Sequence, residues 1–243
     1  MYELQRPTKV VILCGGKGTR LHEETEFRPK PLVPIGDVPI LVHIMNSYSY
    51  HGYNDFVLCL GYKGELIAEF FSKSEINEKW NITFAYTGLE TQTGARIKRI
   101  EKYIDSDFFL ATYGDGISDV NISNLVDFHK KQNTIGVITA VHPHSKYGLM
   151  KEGENSIIEE FVEKPVLYDY INGGFFTFKK DVFDYLSEDE DCILEREPFT
   201  KLVSEKQLSM FKHEGFWHCM DTYKDYLDLN KMWDSGNVPW KKW

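Results

Sequence analysis

The chain has 243 residues, 42% hydrophobic and 27% charged, the make-up of a globular protein able to bury a sizeable core. A formal charge of −9 with no compensating basic face argues against a binder of nucleic acid or of anionic membrane. Four scattered cysteines without a C-x-x-C pair, no apolar leader in MYELQRPTK and no apolar run near ~20 residues point to a cytoplasmic chain with free thiols.

In chain order, residues 9–14 read as a buried apolar strand. Residues 40–50 place Ile40, Ile44 and Tyr48 on one helical face. A strand over 55–60 (DFVLCL), a helix over 64–71, a strand over 81–86 (NITFAY) and a helix over 95–103 follow. Residues 108–112 (FFLAT) form a strand that runs into Y-G-D-G, and 121–131 form a helix for which Ser123 is a candidate cap. Beyond Gly136, strands are expected over 136–142, 156–162, 173–178 and 209–214, with helices over 180–186, 198–205 and 223–233. The acidic run 188–191 reads as a solvated loop.

This alternation predicts an α/β fold, Rossmann-like, with a mostly parallel mixed sheet flanked by helices. The second half elaborates the sheet begun by the first. No Pro, Gly or Ser-rich linker divides the chain, so one domain over 1–243 is expected, with residues 1–8 a flexible extension.

The strand at 9–14 runs straight into Gly15-Gly16-Lys17-Gly18-Thr19-Arg20. In open α/β sheets the carboxyl edge of the strands is where ligands bind. Glycines there let backbone N–H groups approach phosphate oxygens. Neither G-x-x-x-x-G-K-[ST] nor G-x-G-x-x-G is satisfied, which weakens a nicotinamide-binding reading. Four cations, Lys17, Arg20, Arg28 and Lys30, follow in a chain that is acidic overall. Arg20 suits a phosphate clamp, and the prolines of R-P-K-P stiffen the segment that carries Lys30. Asp115 ends an apolar strand, the place for a carboxylate that shares Mg²⁺ with phosphate, although a lone D-G is also an ordinary turn.

GGKGTRL followed by FRPKPLVPIGDVPIL resembles the signature of the sugar-nucleotide pyrophosphorylases. TGLETQTGARIKRI, TYGDGISDV, EEFVEKP, INGGFFTF, EREPFTKL, GFWHCMDT and MWDSGNVPWKKW extend the resemblance over nearly the whole chain, towards its glucose-1-phosphate cytidylyltransferases. The resemblance implies transfer of CMP from CTP to a sugar 1-phosphate, glucose 1-phosphate first, with pyrophosphate released. The connection between Phe71 and Thr87 is shorter than in the glucose-1-phosphate enzymes. A heptose 1-phosphate or a polyol phosphate as acceptor, and a different NTP, therefore stay open.

Residue by residue, the resemblance implies Arg20, Lys30 and Lys164 as the catalytic cations. The nucleotide would contact Gly15, Gly16, Gly18, Thr19, Arg20, Lys30, Thr93, Gly94 and Arg96, and Mg²⁺ would be held by Asp115 and Asp221. Lys164, Asn172 and Gly173 would meet the acceptor; a plain strand-end lysine and a β-turn are the simpler readings of those positions. Asp119 reads as a helix-start residue, and His142 and His144 as loop residues without a third metal ligand. Trp233, Trp240 and Trp243 serve either a homo-oligomer interface or packing within the chain. A non-catalytic nucleotide-sugar sensor is the rival reading, disfavoured because all five charged site residues are present.

Overall fold

Strand β1 (Lys9–Leu13) is buried along Val10, Val11 and Ile12, so β-branched side chains pack on both of its faces. The computed structural model describes residues 8–73 and 79–243. The extension expected to be flexible therefore falls, but for Thr8, outside the described residues, as do positions 74–78 of the short Phe71 to Thr87 connection.

After β1 come α1 (His22–Thr25), the ribbon β2 (Pro34–Ile35) and β3 (Val38–Pro39), and α2 (Ile40–Tyr50). Next are β4 (Asp55–Leu60), α3 (Gly64–Lys73), β5 (Asn81–Tyr86), α4 (Thr93–Arg99), β6 (Phe108–Tyr113), β7 (Gly116–Ser118), α5 (Ile122–Lys131) and β8 (Gly136–Val141). A hairpin of β9 (Leu149–Glu152) and β10 (Ile158–Val162) precedes β11 (Ile171–Lys179), α6 (Glu197–Ser204), β12 (Leu208–His213), β13 (Trp217–Cys219) and α7 (Tyr223–Asp234).

Seven strands form one mixed sheet in the order β12-β8-β11-β6-β1-β4-β5. Pairing is parallel except for β11, which runs antiparallel to both β6 and β8. The second half thus extends the first sheet, as its strand pattern predicts. Leu13 pairs in register with both Cys59 and Tyr113, so the carboxyl ends of β1, β4 and β6 lie level on one edge.

The two-residue period of the strands divides the core into two layers. Val10, Ile12, Leu58 and Leu110 face α2 and α5, while Val11, Val57, Phe109 and Ala111 pack against Ile97, Phe183 and Leu202.

Several local expectations shift. Asn121, not Ser123, caps α5: its side-chain oxygen accepts from Asn124 N at 2.9 Å, and Ser123 Oγ instead bonds His51 Nδ1. Lys180–Tyr185 is a 3₁₀ segment rather than an α-helix. The helix expected over 95–103 starts two residues earlier, at Thr93, and ends at Arg99, with a 3₁₀ turn over Glu101–Tyr103. Asp119 lies outside α5 and accepts from Phe216 N at 2.7 Å.

The terminal aromatics pack within the chain. Trp240 is 1% exposed, and its Nε1 donates to His43 Nδ1 at 3.3 Å. The other ring nitrogen of His43 is therefore the one that donates, to Ile35 O at 2.9 Å. Gly36, at φ 61°, is tied to this packing, because a Cβ there would meet Trp233 Nε1 at 2.0 Å. No helix among the described residues is long and apolar enough to cross a membrane.

Candidate active site

The glycine turn leaves β1 at the level carboxyl edge. Gly15 turns its carbonyl inward, accepting from Tyr62 N at 3.1 Å and from Arg96 Nη2 at 3.1 Å. A Cβ on Gly15 would fall 2.2 Å from Arg96 Nη1, so the residue is bare because the guanidinium lies against it. Gly16 has nothing within 4 Å on its Cβ side. Gly18, at φ 64°, turns the chain into the 3₁₀ segment Thr19–Leu21. With Lys30, Gln92 and Thr93, the turn lines a cavity of about 290 Å³.

Asp115 follows β6, next to β1 in the sheet. Asp221 is more than a hundred residues further on, and a small ribbon brings it there: β13 pairs antiparallel with β7, with Cys219 opposite Gly116. Met220 N completes the link by donating to Asp115 O at 2.9 Å. Lys30 is 8% exposed, and its ammonium donates to Asp115 Oδ2 at 2.6 Å and to Asp221 Oδ1 at 2.8 Å. Arg20 Nη2 reaches the same Asp221 oxygen at 2.9 Å. Burial by itself would lower the Lys30 pKa, but Asp115 and Asp221 outweigh it and the ammonium is held above its usual range. Burial would raise Asp221, yet Lys30 and Arg20 hold it below the ordinary carboxylate range. Two cations and two carboxylates therefore balance one another.

Asp115, Cys219 and Asp221 offer ligand atoms within 4.8 Å of one another. Burial, with the two carboxylates beside it, pushes the Cys219 thiol far up, while Asp115 and Asp221 supply the two carboxylates of the group. A carboxylate pair that phosphate and water would complete suits a hard divalent cation. The balanced charge supports the same conclusion, since Arg20 and Lys30 are already matched before any polyanion arrives.

A second cavity, of about 300 Å³, opens beside the first and is lined by Asn172, Gly173, Gly174 and Trp217. Arg20, Tyr113 and Asp115 line both cavities. Trp217 Nε1 donates to Gly173 O at 2.7 Å, and Gly174 N donates to Asn172 Oδ1 at 2.8 Å. Burial and the neighbouring Glu195 carboxylate push the Tyr113 phenol far above its usual range, so it remains a donor.

Gly15, Gly16, Gly18, Thr19, Arg20, Lys30, Thr93, Arg96 and Asp115 come together around the first cavity, and Asn172, Gly173 and Asp221 around the second. Arg96 is 4% exposed, with its donors spent on Leu60 O, Thr87 Oγ1, Gly88 O, Gly15 O and Leu89 O. It shapes the cavity wall by holding three strand-end loops. Gly94 lines neither cavity: a Cβ there would meet Cys192 Sγ at 2.7 Å. Lys164 also lies outside both, 54% exposed and paired with Glu163. Of the four cations near the turn, Lys17 pairs with Glu90 and Arg28 with Glu24, leaving Arg20 and Lys30 at the cavities. Tyr113 and Trp217 lie inside the motifs TYGDGISDV and GFWHCMDT, but nothing in those motifs singles them out; the folded edge exposes their place.

The sequence profile of the nucleotidyl transferase family matches residues 9–235. A Bacillus subtilis (strain 168) protein named "Probable glucose-1-phosphate cytidylyltransferase" is 42% identical over 254 residues, covering 97% of this chain and 100% of its own. A Salmonella typhi glucose-1-phosphate cytidylyltransferase is 40% identical over 257 residues, covering 97% of this chain and 99% of its own. Among solved structures, a UDP-glucose pyrophosphorylase complexed with UDP-glucose matches with a TM-score of 0.74 at 17% identity, over 95% of this chain and 100% of that one, a likeness of fold.

Proposed function

The chain belongs to the nucleotidyl transferase family, and on that premise we propose that it transfers CMP from CTP to glucose 1-phosphate, giving CDP-glucose and pyrophosphate. The observation that carries this reading is the pair of adjoining cavities with Arg20, Tyr113 and Asp115 in common, so that two phosphorylated ligands would meet at one cluster. The choice of CTP and glucose 1-phosphate rests on the relatives named above.

An oxygen of the sugar phosphate attacks the α-phosphorus of the nucleotide. The bond from that phosphorus to the oxygen bridging it to the β-phosphorus breaks, and pyrophosphate leaves with the electron pair. The nucleophile already carries negative charge, so no general base is needed. The protein's task is to offset the repulsion between anions and to align them.

The open face of Gly16 and the amides of the turn receive the triphosphate. Arg20 and Lys30 turn from Asp221 and Asp115 to phosphate oxygens, which frees the two carboxylates. Asp115 and Asp221 would hold a divalent cation, proposed to be Mg²⁺. When bound, it offsets charge on the phosphates at the point of transfer. Thr93 and Gly94 contribute at the start of α4, Gly94 by letting the helix pack close. Asn172 and Gly173 bind acceptor hydroxyls, Asn172 through an amide that both donates and accepts.

Lys164 is assigned to the acceptor phosphate on the resemblance of V-E-K-P alone. That role requires the arm carrying it to fold over the acceptor cavity. The same arm exposes Met150, Ile158, Phe161 and Tyr168, which supports assembly of the chain as a homo-oligomer. One domain and a cytoplasmic location complete the reading.

Product analysis tests it. With CTP carrying ³²P at the α-position, glucose 1-phosphate and Mg²⁺, the label should move into CDP-glucose and the pyrophosphate should be unlabelled. Label in free CMP, or no product with this acceptor, would overturn the assignment.

A further inference from the structure

Loop 188–196 closes over the start of α4, and its bonds define more than a solvated acidic stretch. Gln92 N donates to Glu190 O at 2.8 Å, and Ala95 N to Cys192 O at 3.1 Å. Leu194 N donates to Thr93 Oγ1 at 3.0 Å, and Thr93 Oγ1 donates in turn to Glu195 Oε2 at 2.8 Å. The other oxygen of the same carboxylate accepts a short hydrogen bond from the Tyr113 hydroxyl. Tyr113 oxygen accepts from Asn172 Nδ2 at 3.2 Å.

Every proton in this chain has one consistent direction. Asn172 donates to Tyr113, and Tyr113 and Thr93 both donate to Glu195. Asn172 is fixed from its other side, where its Oδ1 accepts from Gly174 N. Thr93 lines the nucleotide cavity, Asn172 the acceptor cavity, and Tyr113 both, whereas Glu195 lines neither.

We infer that Glu195 is a positioning residue that couples the nucleotide and acceptor subsites by holding Thr93 and Tyr113 to one carboxylate. The inference rests on the two-subsite reading above. An acceptor that orients Asn172 orients Tyr113 and, through Glu195, Thr93 at the nucleotide. A carboxylate suits the junction because both of its partners donate, and each of its oxygens takes one of them. The link spans 102 residues from Thr93 to Glu195 and 82 from Tyr113 to Glu195, so it exists only in the folded chain.

The test measures KM for CTP and for glucose 1-phosphate, each at low and saturating levels of the other, in wild type, Glu195→Gln, Glu195→Ala and Tyr113→Phe. Glu195→Ala should raise both KM values about tenfold, the effect of a lost charge-assisted hydrogen bond, and should remove the dependence of one KM on the other substrate. Glu195→Gln keeps one acceptor oxygen and should recover most of the loss in KM. Tyr113→Phe should give the same loss of dependence, and combining it with Glu195→Ala should add little. A purely structural role would lower the melting temperature of the variants while leaving the dependence intact, and that outcome overturns the inference. So does a rise in KM for CTP alone. Failure of the functional reading is a property of wild type, seen as no turnover with CTP and glucose 1-phosphate. The variant comparison then runs on the nucleotide and acceptor that wild type does accept.

Discussion

Replacing Lys30 with Met removes the ammonium that lies between Asp115 and Asp221 while keeping a side chain of similar length. The two carboxylates are then left facing each other with ligand atoms within 4.8 Å. At an effective dielectric of about 20, two unit charges at that distance repel by about 3 kcal/mol. Arg20 still bonds Asp221 at 2.9 Å, and both carboxylates are 24% exposed, so screening reduces the net cost to about 1–2 kcal/mol. For a chain of this size that corresponds to a fall of roughly 2–8 °C in melting temperature. The same change frees a divalent site that Lys30 now fills. Thermal unfolding with and without millimolar Mg²⁺, no nucleotide present, separates the effects: the cation should restore most of the loss in Lys30→Met and shift wild type little. An equal response of both proteins to Mg²⁺ would refute the reasoning that Lys30 stands in for the cation.

Three further outcomes are expected. Asp115→Asn should lower pyrophosphate release by about 10²–10³-fold while circular dichroism stays native, because the residue acts on ligands at the strand edge. Arg96→Met should cost at least about 3 kcal/mol, several times one unmet hydrogen bond, since five acceptors lose a donor and just two of them, Gly15 O and Leu60 O, keep Tyr62 N and Thr87 N; a drop of at least roughly 6 °C in melting temperature checks it. Asp221 is held below its usual range mainly because Lys30 and Arg20 outweigh its burial, so its contribution to stability is present above about pH 4 and is lost as pH falls through the lowered folded value. The difference in melting temperature between wild type and Asp221→Asn should therefore be widest near neutrality and shrink on acidification; a constant difference would contradict the pairing.

How much of this was legible in the sequence depends on how local the cause is. Strands 55–60 and 81–86 and helix 40–50 match the structure to the residue, because apolar runs and 3.6-residue spacing are local and strong. The cap of α5 is not decided locally, because Asn121 and Ser123 are both good caps, and His51, 72 residues away, claims Ser123. Asp115 was legible as the residue after an apolar strand, whereas Asp221 reaches it only through the β13–β7 ribbon. Arg96 looks like a ligand-binding cation by type and place; it does line the first cavity, but what the sequence does not show is that its guanidinium is bonded to four backbone carbonyls and the Thr87 hydroxyl and so holds the loops together there. Lys164 shows the opposite limit, since the motif that names it says nothing of where its arm lies. Glu195 opens the motif EREPFTKL, but its role is not legible there, because its meaning lies in partners 82 and 102 residues away.

The central claim is that the shared edge of the two cavities joins CTP to a sugar 1-phosphate. Pyrophosphate release measured with Mg²⁺, glucose 1-phosphate and each of CTP, UTP, GTP and dTTP in turn tests it most directly. Release with CTP well above the other three is the predicted result. Release with another nucleotide in preference to CTP, or with none of the four, would contradict it.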